Sequence, residues 1–346
     1  MHKGSLARLA AAGLLLTASA LMAMPVAAQE SAESSFKSKT VRIVVGYGPG
    51  GGYDVYARMI APYLAKALDA TVIVENQPGA GGLTALNRVW DAPPDGLTMM
   101  IVNGAGAALA QLVEQSSVRY DLGRMGHLGT VSASPWMWLV GPNSPTDTPQ
   151  KAIGAGRRLS WAGSGPMDGL SDGAAFTCEA LKLNCQIVMG YKGSNEAALA
   201  VTKGEMDAIY VSDTSANNYV KAGQGKAVAT MGRTKSRFFP DQPTIFEAVT
   251  LTAEQQWLFD FRANVEDLGR ILVAPPGMPP ARLAALRDAV RKALTDPALV
   301  ADGEKAQRYI EFEDGEATRK RANAVVAELT PEQKARVKAL LTRTAN

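Results

Sequence analysis

Histidine and cysteine are scarce in this chain of 346 residues, which contains two of each. One of the two histidines is the second residue of the chain, and the other is His127. A lone histidine beside a glycine-containing turn is usually structural. No G-x-S-x-G, H-E-x-x-H or Cys-His cluster occurs. So few nitrogen and sulfur donors give no support to a transition-metal site. We therefore expect a protein without enzyme activity, metal or cofactor.

Cys178 and Cys185 are the two cysteines, with six residues between them. In an oxidising compartment an even pair is interpreted first as a disulfide, and two buried free thiols are the alternative. A bridge that closes so short a loop gives a modest stabilisation of about 2–3 kcal/mol. We assign the pair no role in function.

Long apolar runs are also few, and the main one lies at the N-terminus, over residues 9–24. Two basic residues precede it, and the small residues Val26, Ala27 and Ala28 follow it. This pattern is typical of a cleaved secretory signal, and the run is shorter than the ~20 residues of a membrane span. We predict a signal peptide over residues 1–28, a flexible lead-in over residues 29–38, and a protein free in the periplasm.

Neither basic nor acidic residues are in large excess. The 36 basic and 33 acidic residues become 34 and 33 once Lys3 and Arg8 leave with the signal. A balance near neutral argues against nucleic acid or an anionic membrane as partner. Any selectivity for an anion must therefore come from a local site.

The 318 residues that remain exceed the ~250–300 at which a single core stops growing, so two domains are expected. Short Val- and Ile-rich runs alternate with helical patterns, which predicts α/β lobes with largely parallel sheets. We expect lobe 1 to comprise residues 39–138 and 271–346, and lobe 2 residues 139–270. The chain would cross twice, near Trp136–Pro142 and Arg270–Pro275, with a ligand cleft between the lobes.

The sharpest local signal is the sequence GYGPGGGYD at residues 46–54, between a strand at 41–45 and a helix expected to open at Val55. Glycines let backbone N–H groups face a ligand, and a helix N-terminus favours an anion. The loop is therefore predicted to hold a negative group. Asp54 is interpreted as the N-cap of the helix, with direct ligand contact as the alternative.

Gly46, Gly48 and Gly51 also satisfy G-x-G-x-x-G, and Glu75 ends the second strand where a ribose-binding acid would lie. This pattern leaves an NAD-linked oxidoreductase as an alternative. The export signal and a second glycine cluster at residues 78–82 argue against it.

Three segments resemble the solute-binding receptors of tripartite tricarboxylate transporters, also called Bug receptors: VRIVVGYGPGGGYDVYAR (41–58), VENQPGAGG (74–82) and APPDGLTMMI (92–101). Weaker matches follow in order: YKGSNEA (191–197), GEMDA (204–208), GRTKSRFFPDQPTIFE (232–247) and APPGMPPARL (274–283). The resemblance implies a class II periplasmic binding protein fold. It also implies a monomer that captures a small carboxylate and delivers it to a permease with a large and a small membrane subunit. A periplasmic sensor subunit with the same binding chemistry is the alternative.

The resemblance further implies a ligand site made by both lobes. Its lobe 1 residues would be Tyr47, Gly48, Pro49, Gly50, Gly51, Gly52, Tyr53, Asp54, Asn103 and Gly104. Its lobe 2 residues would be Ser164, Gly165, Met167, Asp168, Tyr191, Lys192, Ser212 and Asp213.

Three features of this set leave the ligand open. An acid at Asp168 would repel a second ligand carboxylate. Tyr47, Tyr53 and Met167 could support an apolar ligand body, or the tyrosines could pack on their own helix. Lys192 is either a counter-ion or, as is usual for a loop lysine, solvated.

Overall fold

The computed structural model describes residues 36–327 and 329–345, and its eleven strands form two sheets. The first sheet contains β1 (Thr40–Val45), β2 (Thr71–Asn76), β3 (Thr98–Asn103), β4 (Gly126–Ser132), β10 (Arg270–Ala274) and β11 (Glu313–Asp314), in the order β11-β4-β10-β3-β1-β2. The second contains β5 (Trp136–Val140), β6 (Leu159–Ala162), β7 (Cys185–Val188), β8 (Ala208–Ser212) and β9 (Lys226–Thr230), in the order β7-β6-β8-β5-β9.

Thirteen α-helices surround these sheets in the described chain. They are α1 (Gly52–Leu68), α2 (Leu83–Trp90), α3 (Gly104–Leu112), α4 (Pro149–Ile153), α5 (Gly169–Leu181), α6 (Ser194–Thr202), α7 (Asp213–Lys221), α8 (Ile245–Ala248), α9 (Ala253–Glu266), α10 (Pro280–Leu294), α11 (Pro297–Lys305), α12 (Gly315–Ala327) and α13 (Pro331–Ala345). No helix of the described chain combines the length and apolarity that a membrane span requires.

Each sheet with its helices forms one lobe, and the predicted two-lobe α/β fold is confirmed. β1 lies between β2 and β3 and runs parallel to both, while β10 returns antiparallel between β3 and β4. β5 pairs with β8 and β9, so the strand at Trp136–Val140 belongs entirely to the second sheet. We therefore move the proposed crossings to residues 133–135 and 267–269.

Buried apolar residues form three cores. One lies between α1, α10 and the first sheet and includes Ile43 and Leu64. Another lies between α6, α7 and the second sheet and includes Leu139. The third is continuous across both lobes, from Leu109 on α3 to Trp138 on β5, and includes residues of α5, α9 and α13. One side of the molecule thus has a shared core, and the other has two separate cores.

Two expectations about the chain ends were wrong. The lead-in was expected to stay flexible up to residue 38, but Phe36 is buried at 1% exposure, and Ser38 donates its N–H to Asp69. The C-terminal helices were all placed on lobe 1, but α13 packs on α5 of lobe 2. Val337, Leu340 and Leu341 of α13 are buried in the core shared with α5, so burial of these side chains determines its position. The predicted signal peptide lies outside the described residues.

The predicted disulfide between Cys178 and Cys185 is present, and it joins the C-terminal turn of α5 to the start of β7. Replacing both cysteines with alanine should lower the free energy of unfolding by about 2–3 kcal/mol, because the short loop gains freedom in the unfolded chain. Denaturant titration of the variant and of the oxidised wild type measures this. Ligand affinity should stay unchanged, and a lost affinity would show that the bridge also shapes the binding site.

His127 is a structural residue, as expected from the sequence. It lies in β4 with no exposed surface, and its Nε2 is 2.7 Å from the carbonyl oxygen of Leu122. Burial lowers its pKa. Within the described chain no group of three or more acidic, histidine or cysteine side chains could hold a metal ion.

Candidate functional site

The glycine loop joins β1 to α1 as predicted, but α1 begins at Gly52 and not at Val55. Gly51 is the N-cap residue, with extended backbone angles and no side-chain capping bond. Asp54 is therefore not the cap. Its carboxylate accepts hydrogen bonds from the Gly50 N–H and the Arg58 guanidinium, at 2.9 and 3.0 Å. These bonds hold the glycine loop against the first turns of α1.

Gly48 and Gly51 of the G-x-G-x-x-G pattern lie against lobe 2. Gly48 donates its N–H to the carbonyl oxygen of Lys192 at 2.6 Å, so the loop faces lobe 2 at close range. Glu75 lies on β2, where its carboxylate is 3.9 Å from Arg42. Its side chain is 44% exposed on that strand.

The cleft between the lobes is closed, and several glycines permit the close approach. A Cβ added at Gly165 would lie 2.4 Å from the nitrogen of Gly81 in the other lobe. A Cβ at Gly106 of α3 would lie 2.2 Å from the carbonyl oxygen of Met167. Side chains at these positions would hold the lobes apart.

A cavity of about 20 Å³, called the inner cavity below, remains between the lobes. Lobe 1 contributes Tyr47, Gly51, Gly52, Tyr53 and Arg270, and lobe 2 contributes Trp136, Leu170, Ser194, Val211, Ser212 and Ser215. This volume holds about one water molecule. A ligand of several atoms therefore fits only with the lobes further apart.

Arg270 is the cation that lines the inner cavity, and its side chain is buried at 4% exposure. It donates to the hydroxyls of Ser212, at 2.8 Å in lobe 2, and Ser132, at 3.2 Å in lobe 1. Its Nε has no acceptor among the described residues, and none of their carboxylates lies within 4 Å of it. A buried cation without a paired anion is costly, so this position attracts a negative ligand.

Arg308 adds a second positive charge behind the first. It follows α11, is buried at 6% exposure, and its Nη1 lies 3.4 Å from the Ser215 hydroxyl. Burial lowers the pKa of Arg308, and the neighbouring guanidinium of Arg270 lowers it further. Asp213 is the acid that acts on both arginines, and burial raises the pKa of its own carboxyl. The local charge is therefore positive.

A second cavity of about 270 Å³, called the outer cavity below, lies nearer the cleft mouth. Its lining is Gly46, Tyr47, Pro78, Gly79, Ala80, Gly81, Ser164, Gly190, Tyr191 and Lys192. Tyr47 lines both cavities, stacks on Tyr53 at 4.7 Å between ring centroids, and donates its hydroxyl to Gly81 at 3.0 Å. Lys192 is exposed, as its solvated interpretation predicts.

The structure brings together only part of the predicted set. The inner cavity has Tyr47, Gly51, Gly52, Tyr53 and Ser212, and the outer cavity has Tyr47, Ser164, Tyr191 and Lys192. Gly48 and Gly165 contact the opposite lobe, and Pro49 and Gly50 are exposed at the rim. These residues line or surround the cleft.

Other predicted residues lie outside both cavities and have structural roles. Asn103 caps α3 by accepting from Gly106, at 3.2 Å. Gly104 donates its N–H to Gly269 at the second crossing. Met167 is buried in the shared core, and Asp213 accepts a hydrogen bond from the Ser236 hydroxyl at 2.8 Å. Polar residues at strand ends serve here as helix caps and braces.

Asp168 is the N-cap of α5. Its carboxylate accepts from the N–H and the hydroxyl of Ser164, at 3.0 and 2.5 Å, and from the N–H of Leu170 at 3.2 Å. Burial raises the pKa of Asp168. Its oxygens are thus occupied within lobe 2.

Sequence reasoning missed six residues of the inner cavity: Arg270, Trp136, Leu170, Ser194, Val211 and Ser215. One signal was available for Arg270, which is a charged residue at the start of an apolar strand beside a predicted crossing. The serines and apolar residues carry no such signal, because their positions depend on the packing of lobe 2.

A buried acid cluster lies beside Trp136. Arg262 contacts Asp172 at 2.6 Å and Glu266 at 2.9 Å, and its guanidinium lies 5.9 Å from the Trp136 ring. Burial raises the pKa of Asp172 to about 6; Arg262 opposes the rise, and the nearby carboxyl of Asp168 adds to it. The folded protein then retains a proton on this carboxyl between pH ~4 and 6 that the unfolded chain has lost, so stability falls as pH rises through that window.

Asp172→Asn should therefore gain stability relative to wild type as pH rises. The difference in unfolding free energy should shift toward the variant by on the order of 3 kcal/mol between pH 4 and 7. Denaturant titrations at several pH values measure it, with Asp241→Asn at an exposed position as control. A shift of equal size in both variants, or none, would show that the Asp172 carboxyl titrates normally.

Similarity to known proteins extends over most of the chain. A family model described as "Tripartite tricarboxylate transporter family receptor" matches residues 56–340. Among curated relatives, a UPF0065 protein of Bordetella pertussis is 28% identical over 83% of this chain and 86% of its own length. Protein BugT of the same organism is 23% identical over 86% of this chain and 87% of its own.

Solved structures share the fold. The periplasmic binding protein BugD has a TM-score of 0.74 at 22% identity, covering 88% of this chain and 98% of its own. MatC from Rhodopseudomonas palustris with bound malate has a TM-score of 0.70 at 22% identity, covering 88% and 100%. R. palustris Rpa4515 with adipate has a TM-score of 0.73 at 18% identity, covering 87% and 97%. The family model matches most of the length of this chain, so the chain belongs to the receptor family of tripartite tricarboxylate transporters.

Proposed function

We propose that this receptor captures a small carboxylate in the inner cavity, with Arg270 as the counter-charge. The observation that carries the proposal is the buried guanidinium of Arg270, which faces the cleft with serine hydroxyls around it and no carboxylate within 4 Å in the described chain. A guanidinium binds a carboxylate through parallel N–H bonds, and these are strong when water is excluded.

The N-terminus of α1 supports the same ligand. The first N–H groups of a helix have no partner within it, and the helix field there favours a negative group. A Cβ at Gly52, the first residue of α1, would lie 3.4 Å from Nη2 of Arg270. One ligand carboxylate could therefore accept bonds from the arginine and the helix start together.

Lobe closure would couple binding to transport. Arg270 bonds Ser132 in lobe 1 and Ser212 in lobe 2, so a carboxylate at this position contacts groups of both lobes. A ligand that contacts both lobes shifts the population toward a ligand-bound closed form, in which the lobes are further apart than here because the inner cavity holds about one water. We infer a periplasmic monomer, exported by its signal peptide, whose closed form delivers the ligand to the large and small membrane subunits of a transporter. The malate and adipate of two structural neighbours are carboxylates, which agrees with this ligand class.

A thermal-shift panel on the purified mature protein tests the proposal. The ligands are butanoate, hexanoate, benzoate, succinate, adipate, terephthalate, malate and citrate, with NAD as the comparison. A carboxylate at 100 times its dissociation constant adds about 2.7 kcal/mol of stability, which gives a clear rise in Tm. A shift with NAD and with no carboxylate would overturn the receptor assignment for this site.

A further inference from the structure

The inner cavity contains one cation and an otherwise uncharged lining. Arg270 is surrounded by the hydroxyls of Ser212 and Ser215, and the remaining side chains that line the cavity are apolar or aromatic. Among these, Trp136 and Leu170 of lobe 2 are buried at 8% and 5% exposure. Arg270 is thus the one cation of the lining, and Arg308 lies behind Ser215 on the same side of the cavity.

Acidic residues lie directly behind the wall that Trp136 and Leu170 form. The N–H of Leu170 donates to Asp168, and the Trp136 ring packs beside the guanidinium of Arg262. Arg262 is shared by Asp172 and Glu266, so this region holds three acids and one arginine. Burial raises the pKa of Asp168, Asp172 and Glu266, and Arg262 is engaged by the last two, so this wall presents no cation to the cavity.

The field of these acids reaches the cavity. Burial raises the pKa of the Tyr53 hydroxyl, which lines the cavity; Arg270 opposes the rise, and Asp168, Glu266 and Asp172 add to it. An anion placed against this wall would be destabilised in the same way as a tyrosinate. The anion would lose its hydration, and no cation at this wall would compensate for that loss.

From this arrangement we infer that the ligand is a monocarboxylate with an apolar body, selected against di- and tricarboxylates. The inference rests on the proposed function, because it takes Arg270 as the carboxylate-binding group. It separates this chain from neighbours of the same fold that hold malate and adipate, which carry two carboxylates. The apolar body would lie against Trp136, Leu170 and the stacked tyrosines Tyr47 and Tyr53.

Matched ligand pairs test the inference by isothermal titration of the wild-type protein. Each pair shares a carbon skeleton and differs by one carboxylate: butanoate and succinate, hexanoate and adipate, benzoate and terephthalate. In the pair with the tightest binder, the monoacid should bind at least tenfold more tightly, because a desolvated unpaired carboxylate costs more than that factor. Equal or tighter binding of the diacid would overturn the inference and leave the carboxylate receptor intact.

Two further outcomes separate the claims. Tighter binding of 6-aminohexanoate than of hexanoate would also overturn the inference, since it would show that a ligand cation meets the acids. No binding by any carboxylate of the panel would overturn the proposed function itself.

A charge-reversal variant gives an independent readout. Leu170→Lys places a cation in the apolar wall, so the affinity for adipate relative to hexanoate should rise at least tenfold. Leu199→Lys makes the same change at a position that is 46% exposed on α6, and the ratio should stay at its wild-type value. A ratio unchanged in Leu170→Lys would contradict the inference, and the wild-type pairs decide it if that variant does not fold.

Discussion

Replacing Arg270 with glutamine should abolish carboxylate binding while the protein stays folded. We expect at least a 100-fold loss of affinity, about 3 kcal/mol, since a buried ligand carboxylate would keep its desolvation cost and lose its counter-charge. The ligand-free variant should be as stable as wild type or more stable, because the change removes a buried positive charge beside Arg308. Isothermal titration and denaturant unfolding measure the two effects.

Arg42→Gln is the matched control for this experiment. Arg42 lies on β1 of the same lobe with its side chain 51% exposed, so its replacement should leave affinity unchanged. Arg270→Lys keeps the charge without the planar fork and should retain part of the affinity. Full affinity in Arg270→Gln would show that the carboxylate binds elsewhere, for example in the outer cavity.

Replacing Gly52 with leucine should have a comparable effect on binding. A Cβ at this position would lie 3.1 Å from the Ser215 hydroxyl and 3.4 Å from Arg270, so a leucine side chain fills the inner cavity and holds the lobes apart. We expect at least a 100-fold loss of affinity, measured by titration with the ligand that the panel identifies. Gly52 is helical, so the substitution itself favours α1 by up to about 1 kcal/mol.

Gly154→Leu controls for the change of residue type. Gly154 ends α4 at φ −85°, and an added Cβ would meet only the Gln150 carbonyl oxygen, at 3.4 Å. Its affinity should match wild type. Retained affinity in Gly52→Leu would mean that the glycine loop shapes lobe 1 without taking part in binding.

The strands that sequence predicted best are those whose own residues supply the signal. β1, the strand expected at residues 41–45, is rich in Val and Ile and lies at Thr40–Val45. β4 went unrecognised because its sequence, GHLGTVS, has two glycines and a histidine. It is fully buried all the same, since β10 and α12 cover it, and such coverage is a property of the assembled chain.

The residues of the site also fall into those that a local sequence pattern predicts and those that it does not. The glycine loop was predictable because its chemistry is local, with adjacent glycines between a strand and a helix. Asn103 and Asp168 are helix caps in the structure, and a helix cap and a ligand-binding polar residue occupy the same place after a strand, so sequence alone does not separate the two roles. Arg270 acquires its role from Ser132, Ser212 and Tyr56, which come from three distant segments. No local pattern could have joined them.

The shared core on one side of the molecule determines how the cleft gives access to ligand. Separating the lobes on the α9 and α13 side would expose a continuous apolar seam, which is costly. On the α1 and α6 side the lobes meet through polar contacts, such as Gly48 with Lys192 and Asn217 with Gln307, and water can replace these. Opening should therefore be one-sided, so ligand enters and leaves past the exposed tip of the glycine loop at Pro49 and Gly50.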